Sequence, residues 1–143
     1  LSENAEAMEQ IAKMQYYVTA CSNDAMQYAV LEALNEASDY PEHMRDEFQV
    51  RRDLICERLN AMPGVSCHIP TGAFYVFPKV EAAGLNSEEI ALALLEGGVL
   101  CSPGSAFGAA GEGHLRFAYT IGREGISRGM DRVEKVLAEL RGE

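Results

Sequence analysis

Tryptophan is absent and basic residues are scarce. Twelve Lys and Arg stand against 22 Asp and Glu in 143 residues, a formal charge of −10. A nucleic-acid binder needs a basic footprint for phosphate, and none exists here. The same balance argues against docking on anionic membrane surfaces. Long hydrophobic runs are also missing. The longest apolar stretch, Ile90 to Leu100, is broken by Glu96, Gly97 and Gly98 and is too short to span a bilayer. The first ten residues carry three Glu and no basic residue, so no secretory leader is expected. The four cysteines, Cys21, Cys56, Cys67 and Cys101, form no C-x-x-C, and no His lies at zinc-ligand spacing from any pair. The expectation is buried free thiols in a reducing cytoplasm and no metal. Low-complexity blocks and internal repeats are absent too.

What is present is the material of one ordinary globular domain: 48% of residues are hydrophobic and 24% charged. A chain of this length can bury roughly 70% of the surface its unfolded form exposes, without disulfides or metal. Leu1, Ala5, Met8 and Ala12 have helical spacing. The chain opens on Leu inside this pattern, so further sequence is expected on its N-terminal side. After a break near Cys21, Ser22 is the expected cap of a second helix whose face holds Met26, Ala29, Val30, Ala33 and Leu34. Ser38 to Pro41 open a third, with Pro41 in the first turn, where its missing N–H costs nothing. Its stripe is Met44, Phe48, Ile55, Leu59 and Met62, and it stops at Pro63-Gly64.

The period then changes from helical to two. Val65 to Ile69 and Ala73 to Phe77 are β-branched and aromatic runs, expected as two adjacent strands. Asn86 with Glu89 three residues on predicts a capping box for a helix from Ser87 to Glu96, ended by Gly97-Gly98. Val99 to Cys101 and His114 to Thr120 are the remaining expected strands. The last helix, about Arg123 to Leu140, turns Ile126, Met130, Val133, Leu137 and Leu140 inward. The predicted fold class is α+β. Two layers are expected: a small, mostly antiparallel sheet of three to four strands, with helices covering one face, after N-terminal connecting helices.

Chemistry is concentrated in two places. In the His114–Thr120 strand, period two puts Leu115, Phe117 and Tyr119 on one face and Arg116 on the other, with His114 and Ala118. A mid-strand Arg between apolar neighbours is either part of a solvated outer face or a fork that grips a carboxylate or phosphate bidentately. Just upstream lie Gly104, Gly108, Gly111 and Gly113 within ten residues. They mark either a flexible loop or a close approach of backbone to a ligand or another domain. No Lys-Ser/Thr follows and no helix starts there, so neither nucleotide-binding glycine motif fits.

Taken in order, three segments resemble the class I/II pyridoxal-phosphate aminotransferases of fold type I, and most nearly their aspartate and aromatic aminotransferase-like members. They are Thr71-Gly72-Ala73-Phe74-Tyr75-Val76-Phe77-Pro78, then Gly98-Val99-Leu100 leading to Pro103-Gly104-Ser105-Ala106-Phe107-Gly108, then Gly113-His114-Leu115-Arg116-Phe117-Ala118. The terminal helix follows the Arg strand as in that family, and the resemblance covers nearly the whole chain.

The resemblance implies that Arg116 binds the substrate α-carboxylate and that Phe74 lines the substrate cleft, where core packing is the competing role. A Schiff-base Lys, provided by a large domain in that family, is not matched by Lys13, Lys79 or Lys135, none of which has the family's Ser-Lys context. No catalytic or cofactor-binding residue is therefore expected within the chain. It is expected to be the small C-terminal domain (39–143) with connecting helices (1–38) that meet an absent large domain. The implied parent is a cytoplasmic homodimer, dependent on pyridoxal 5'-phosphate, that moves an amino group between an amino acid and a 2-oxo acid. Isolated, the chain would be inactive. The alternatives are a lyase or synthase of the same fold, an aminotransferase-like domain of a regulator, and an anion-binding sensor.

Overall fold

A computed structural model describes residues 3–36, 39–82 and 84–142. It divides into two compact units, one reaching to Glu42 and one running from His43 onward.

The first unit holds α1 (Ala5–Thr19) and α2 (Asp24–Glu36), neither with a buried residue. The Asn4 side chain caps α1 by accepting from the Ala7 N–H. At the start of α2 the Asn23 side chain accepts from the Met26 N–H at 3.3 Å. Asn23 therefore does the work expected of Ser22, whose carbonyl instead accepts from the Gln27 amide. The apolar stripe forecast for α2 is present but exposed: Met26, Ala29, Val30, Ala33 and Leu34 all face solvent. Helix α3 (Tyr40–Asn60) begins before the boundary of the units and continues beyond it, with Pro41 in its first turn. Ser38 lies outside the described residues.

The second unit carries the core. Ile55, Cys56 and Leu59 of α3 pack with Ile90, Ala91 and Leu94 of α4 (Ser87–Glu96). Ile126, Met130, Val133, Val136 and Leu137 of α5 (Arg123–Arg141) complete the helical layer. The capping box at Asn86 forms as its spacing requires, and Gly142 closes α5 at φ 81°. Antiparallel strands lie against this layer. One pair joins β1 (Val65–Ser66) to β3 (Lys79–Val80). A three-stranded sheet has the order β2 (Tyr75–Val76), β5 (Leu115–Ala118), β4 (Ser102–Pro103). The architecture is α+β with small antiparallel sheets, as the sequence pattern indicates.

Two strand expectations need correction. The 65–69 and 73–77 runs do not pair with each other. Beyond Ser66 the Asn60 amide takes over: it donates to the Cys67 carbonyl at 2.9 Å and accepts from the Cys67 N–H at 2.8 Å. With its backbone groups satisfied by a side chain, Cys67 has no need of a neighbouring strand. The expected 99–101 strand does not form; the strand lies just after it, at Ser102–Pro103. Pro103 is tolerated there because β4 is an edge strand. No described helix is long and apolar enough to cross a membrane.

Candidate functional site

Strand β5 is central in its sheet, with a neighbour on each side. Its alternation holds: Leu115 and Phe117 are buried against the helices, as is Tyr119 just beyond, while Arg116 is half-buried and Ala118 exposed. The outer face of the sheet is therefore where Arg116 stands. Ser102 of β4 lies directly opposite it, and Arg116 Nη2 donates to Ser102 Oγ at 3.4 Å. Among the described residues no carboxylate is within ion-pair distance of this guanidinium.

Aromatic rings surround it instead. Arg116 Cζ lies 4.5 Å from the ring centroid of Tyr75 and 4.5 Å from that of Phe107. Tyr75 comes from β2, on one side of β5, and Phe107 from the turn that follows β4, on the other. Beyond Phe107 the Phe77 ring stands edge-on at 5.9 Å, and His114 stacks on Phe77 at 5.1 Å. His114 Nδ1 lies 3.1 Å from the Glu112 carbonyl oxygen, an acceptor, so this contact needs the Nδ1–H form.

The glycines between β4 and β5 hold the loop closed. Gly104 and Gly111 lie in two short 3-10 turns, Gly104–Phe107 and Ala109–Gly111, and a Cβ on either would strike the backbone of the other. The close approach is of backbone to backbone. Glu112 fastens the same loop to α4. Its carboxylate accepts from the Ser87 N–H at 2.7 Å, the Ser87 hydroxyl at 3.2 Å and the Gly113 N–H at 2.9 Å. The Ser87 N–H contact, with the others, holds this carboxyl below its ordinary range. Ser105 N–H in turn donates to Ser87 Oγ at 3.3 Å.

Phe74 stands apart from Arg116. It lines a groove of about 420 Å³ with Arg45, Phe48, Arg52, Thr71 and Tyr119. Its ring touches that of Tyr75 at 4.5 Å, so Tyr75 links the groove to the Arg116 cluster. A second groove, about 540 Å³, runs along α5 past Val99, Leu100, Gly125 and Arg132 and does not include Arg116. Tyr75 and Ser102 were not expected at the site. Placing them on Arg116's face requires the strand register, which no single segment of sequence carries.

All three lysines are exposed. Lys79 pairs with Glu81 at 2.7 Å on the surface, Lys135 with Glu139 at 3.8 Å along α5, and Lys13 projects from the exposed α1. The cysteines are free. Cys56 and Cys67 are buried with their sulfurs 3.8 Å apart, and Cys101 is half-buried. Cys21, expected to be buried, is exposed, because it sits in the link between two helices with no buried residue.

Comparison with known proteins agrees with this architecture. The chain is 43% identical to an aspartate aminotransferase of Pyrococcus abyssi over 135 residues, which is 92% of the chain and 34% of that protein. It is 42% identical to aromatic-amino-acid aminotransferase 2 of Thermococcus litoralis, with the same coverage. Among solved structures, the aromatic aminotransferase of Pyrococcus horikoshii superposes with a TM-score of 0.82 at 41% identity, over 92% of this chain and 36% of that one. The chain thus spans about a third of the length of these relatives. The family model for aminotransferase class I and II, a family that works with pyridoxal phosphate, matches residues 1–133; the chain belongs to that family.

Proposed function

We propose that the whole protein is a pyridoxal-phosphate-dependent aminotransferase in which Arg116 binds the α-carboxylate of an amino acid or 2-oxo acid. Residues 39–143 form its small domain, and residues 1–38 are helices connecting to a large domain that provides the cofactor site and its lysine. The observation that carries this reading is Arg116 itself: a half-buried, mid-strand guanidinium with no carboxylate partner among the described residues. An unneutralised cation in such a place is a site waiting for an anion.

The cofactor, when bound, acts as the electron sink. This chain's part is recognition. A planar fork holding both carboxylate oxygens fixes the orientation of the substrate Cα, and the surrounding rings limit access of water to the contact. On this reading the protein is a homodimer of the cytoplasm, and the free thiols of Cys21, Cys56, Cys67 and Cys101 support that compartment.

The test is product analysis on the full-length protein with pyridoxal phosphate, L-aspartate or L-tyrosine, and 2-oxoglutarate. Glutamate and the matching 2-oxo acid should appear in equal amounts. Elimination products without glutamate would indicate a lyase, and no turnover of any amino acid would contradict the assignment. Residues 1–143 alone should not turn over.

A further inference from the structure

A guanidinium at the end of a long flexible side chain needs something to hold it. A carboxylate would do so, but it would also occupy the N–H donors that a substrate needs. Among the described residues its one hydrogen bond to another side chain is that to Ser102 Oγ, long at 3.4 Å. What closes around the group are the Tyr75 and Phe107 rings, each 4.5 Å from Cζ. The negative face of a ring attracts a cation without neutralising it and without consuming a donor.

The rings are themselves held. Tyr75 is in β2, paired with β5, and contacts Phe74 at 4.5 Å. Phe107 ends a 3-10 turn fixed by the Gly104–Gly111 backbone contact and by the Ser105 N–H to Ser87 Oγ bond. The Phe77 ring packs on it edge-on at 5.9 Å. Phe107 is nonetheless 51% exposed, so it is not placed there to fill the core.

We infer that Tyr75 and Phe107 are positioning residues for the anion-binding reaction. They order the Arg116 guanidinium before the substrate arrives while leaving its N–H edge free. The inference rests on Arg116 being the carboxylate-binding group. In the free protein the side chain's rotamer freedom is already spent, so the arriving carboxylate does not have to order it.

The experiment uses the full-length holoprotein with L-aspartate and 2-oxoglutarate as probes, or L-tyrosine if aspartate is not turned over. It compares Tyr75→Leu, Phe107→Leu, the conservative Tyr75→Phe and Phe107→Tyr, and Arg116→Ala. Each Leu variant should raise KM for both the amino acid and 2-oxoglutarate by about threefold to tenfold, with kcat changed by less than about twofold. The two ring-conserving variants should remain near the parent. Binding of maleate, an unreactive dicarboxylate, followed by calorimetry, should weaken in the same order. If Tyr75→Leu fails to fold, Phe107→Leu carries the test, because that ring is half exposed. If Arg116→Ala is crippled while Phe107→Leu keeps both KM values and maleate affinity, the positioning role is overturned and the carboxylate role of Arg116 stands. If Arg116→Ala itself keeps its KM values and its maleate affinity, the underlying assignment of Arg116 fails, and this inference with it.

Discussion

Arg116 and the cysteines show how far one residue's surroundings set its chemistry. The guanidinium keeps its charge available because its neighbours on the outer face are rings and a hydroxyl. The thiols are treated in the opposite way. Burial pushes Cys67 up to about 12 and Cys101 up to about 11, and it raises Cys56 as well. At pH 8 a thiol at the Cys67 value is thiolate in only on the order of one molecule in ten thousand. In native protein treated with a disulfide reagent at pH 8 and read cysteine by cysteine by mass spectrometry, Cys21 should therefore react fast, and Cys56, Cys67 and Cys101 only on unfolding. Rapid reaction of a second thiol in the native state would mean that Cys101 or the Cys56–Cys67 pair is more open than described. At this scale the sequence was partly legible. The parity of β5 puts Arg116 opposite Leu115 and Phe117 from spacing alone. Tyr75 and Ser102 could not be assigned to its face, because they reach it through pairings with distant segments.

Elements differ in legibility for the same reason. Helices α4 and α5 lie where local signals put them: Asn86 with Glu89, the Gly97-Gly98 stop, and apolar residues at spacings of three and four. Strand partners depend on contacts far along the chain, so Val65–Ser66 pairs with Lys79–Val80 and not with the next apolar run. Asn60 diverts the chain at Cys67 in a way no propensity records. The glycine segment is a similar case, since the Gly104–Gly111 contact exists only in three dimensions. Its fastening by Glu112 makes a pH prediction. The folded-state pKa of Glu112 lies below its ordinary 4.5, held down first by the Ser87 N–H. Such a group stabilises the fold fully above about pH 4.5, and its contribution is lost as pH falls through the lower folded value. Urea unfolding of the parent and Glu112→Gln should show the parent more stable at pH 7, with the gap closing below pH 4.5. A gap that does not change with pH would show that the carboxylate's charge is not what secures the loop.

For the molecule as a whole, two compact units divide the labour unevenly. The unit from His43 onward has a packed core and presents the half-buried Arg116 on the outer face of its sheet. The helices before it have apolar residues that remain exposed, among them Ile11, Met14, Tyr17 and Val18. Membership of the class I and II aminotransferases, over a third of the relatives' length, fits the reading proposed above, in which the recognition group is within the chain and the lysine chemistry outside it. The most direct test of that account is the steady-state kinetics of Arg116→Lys in the full-length protein, with pyridoxal phosphate saturation followed separately. Lysine keeps the charge but loses the fork, so kcat/KM for the amino acid should fall at least about tenfold, the scale of a charge-assisted bidentate contact, while cofactor affinity is unchanged. A variant that turns over amino acids with undiminished kcat/KM would contradict the account and leave Arg116 as one more cation on a solvated sheet.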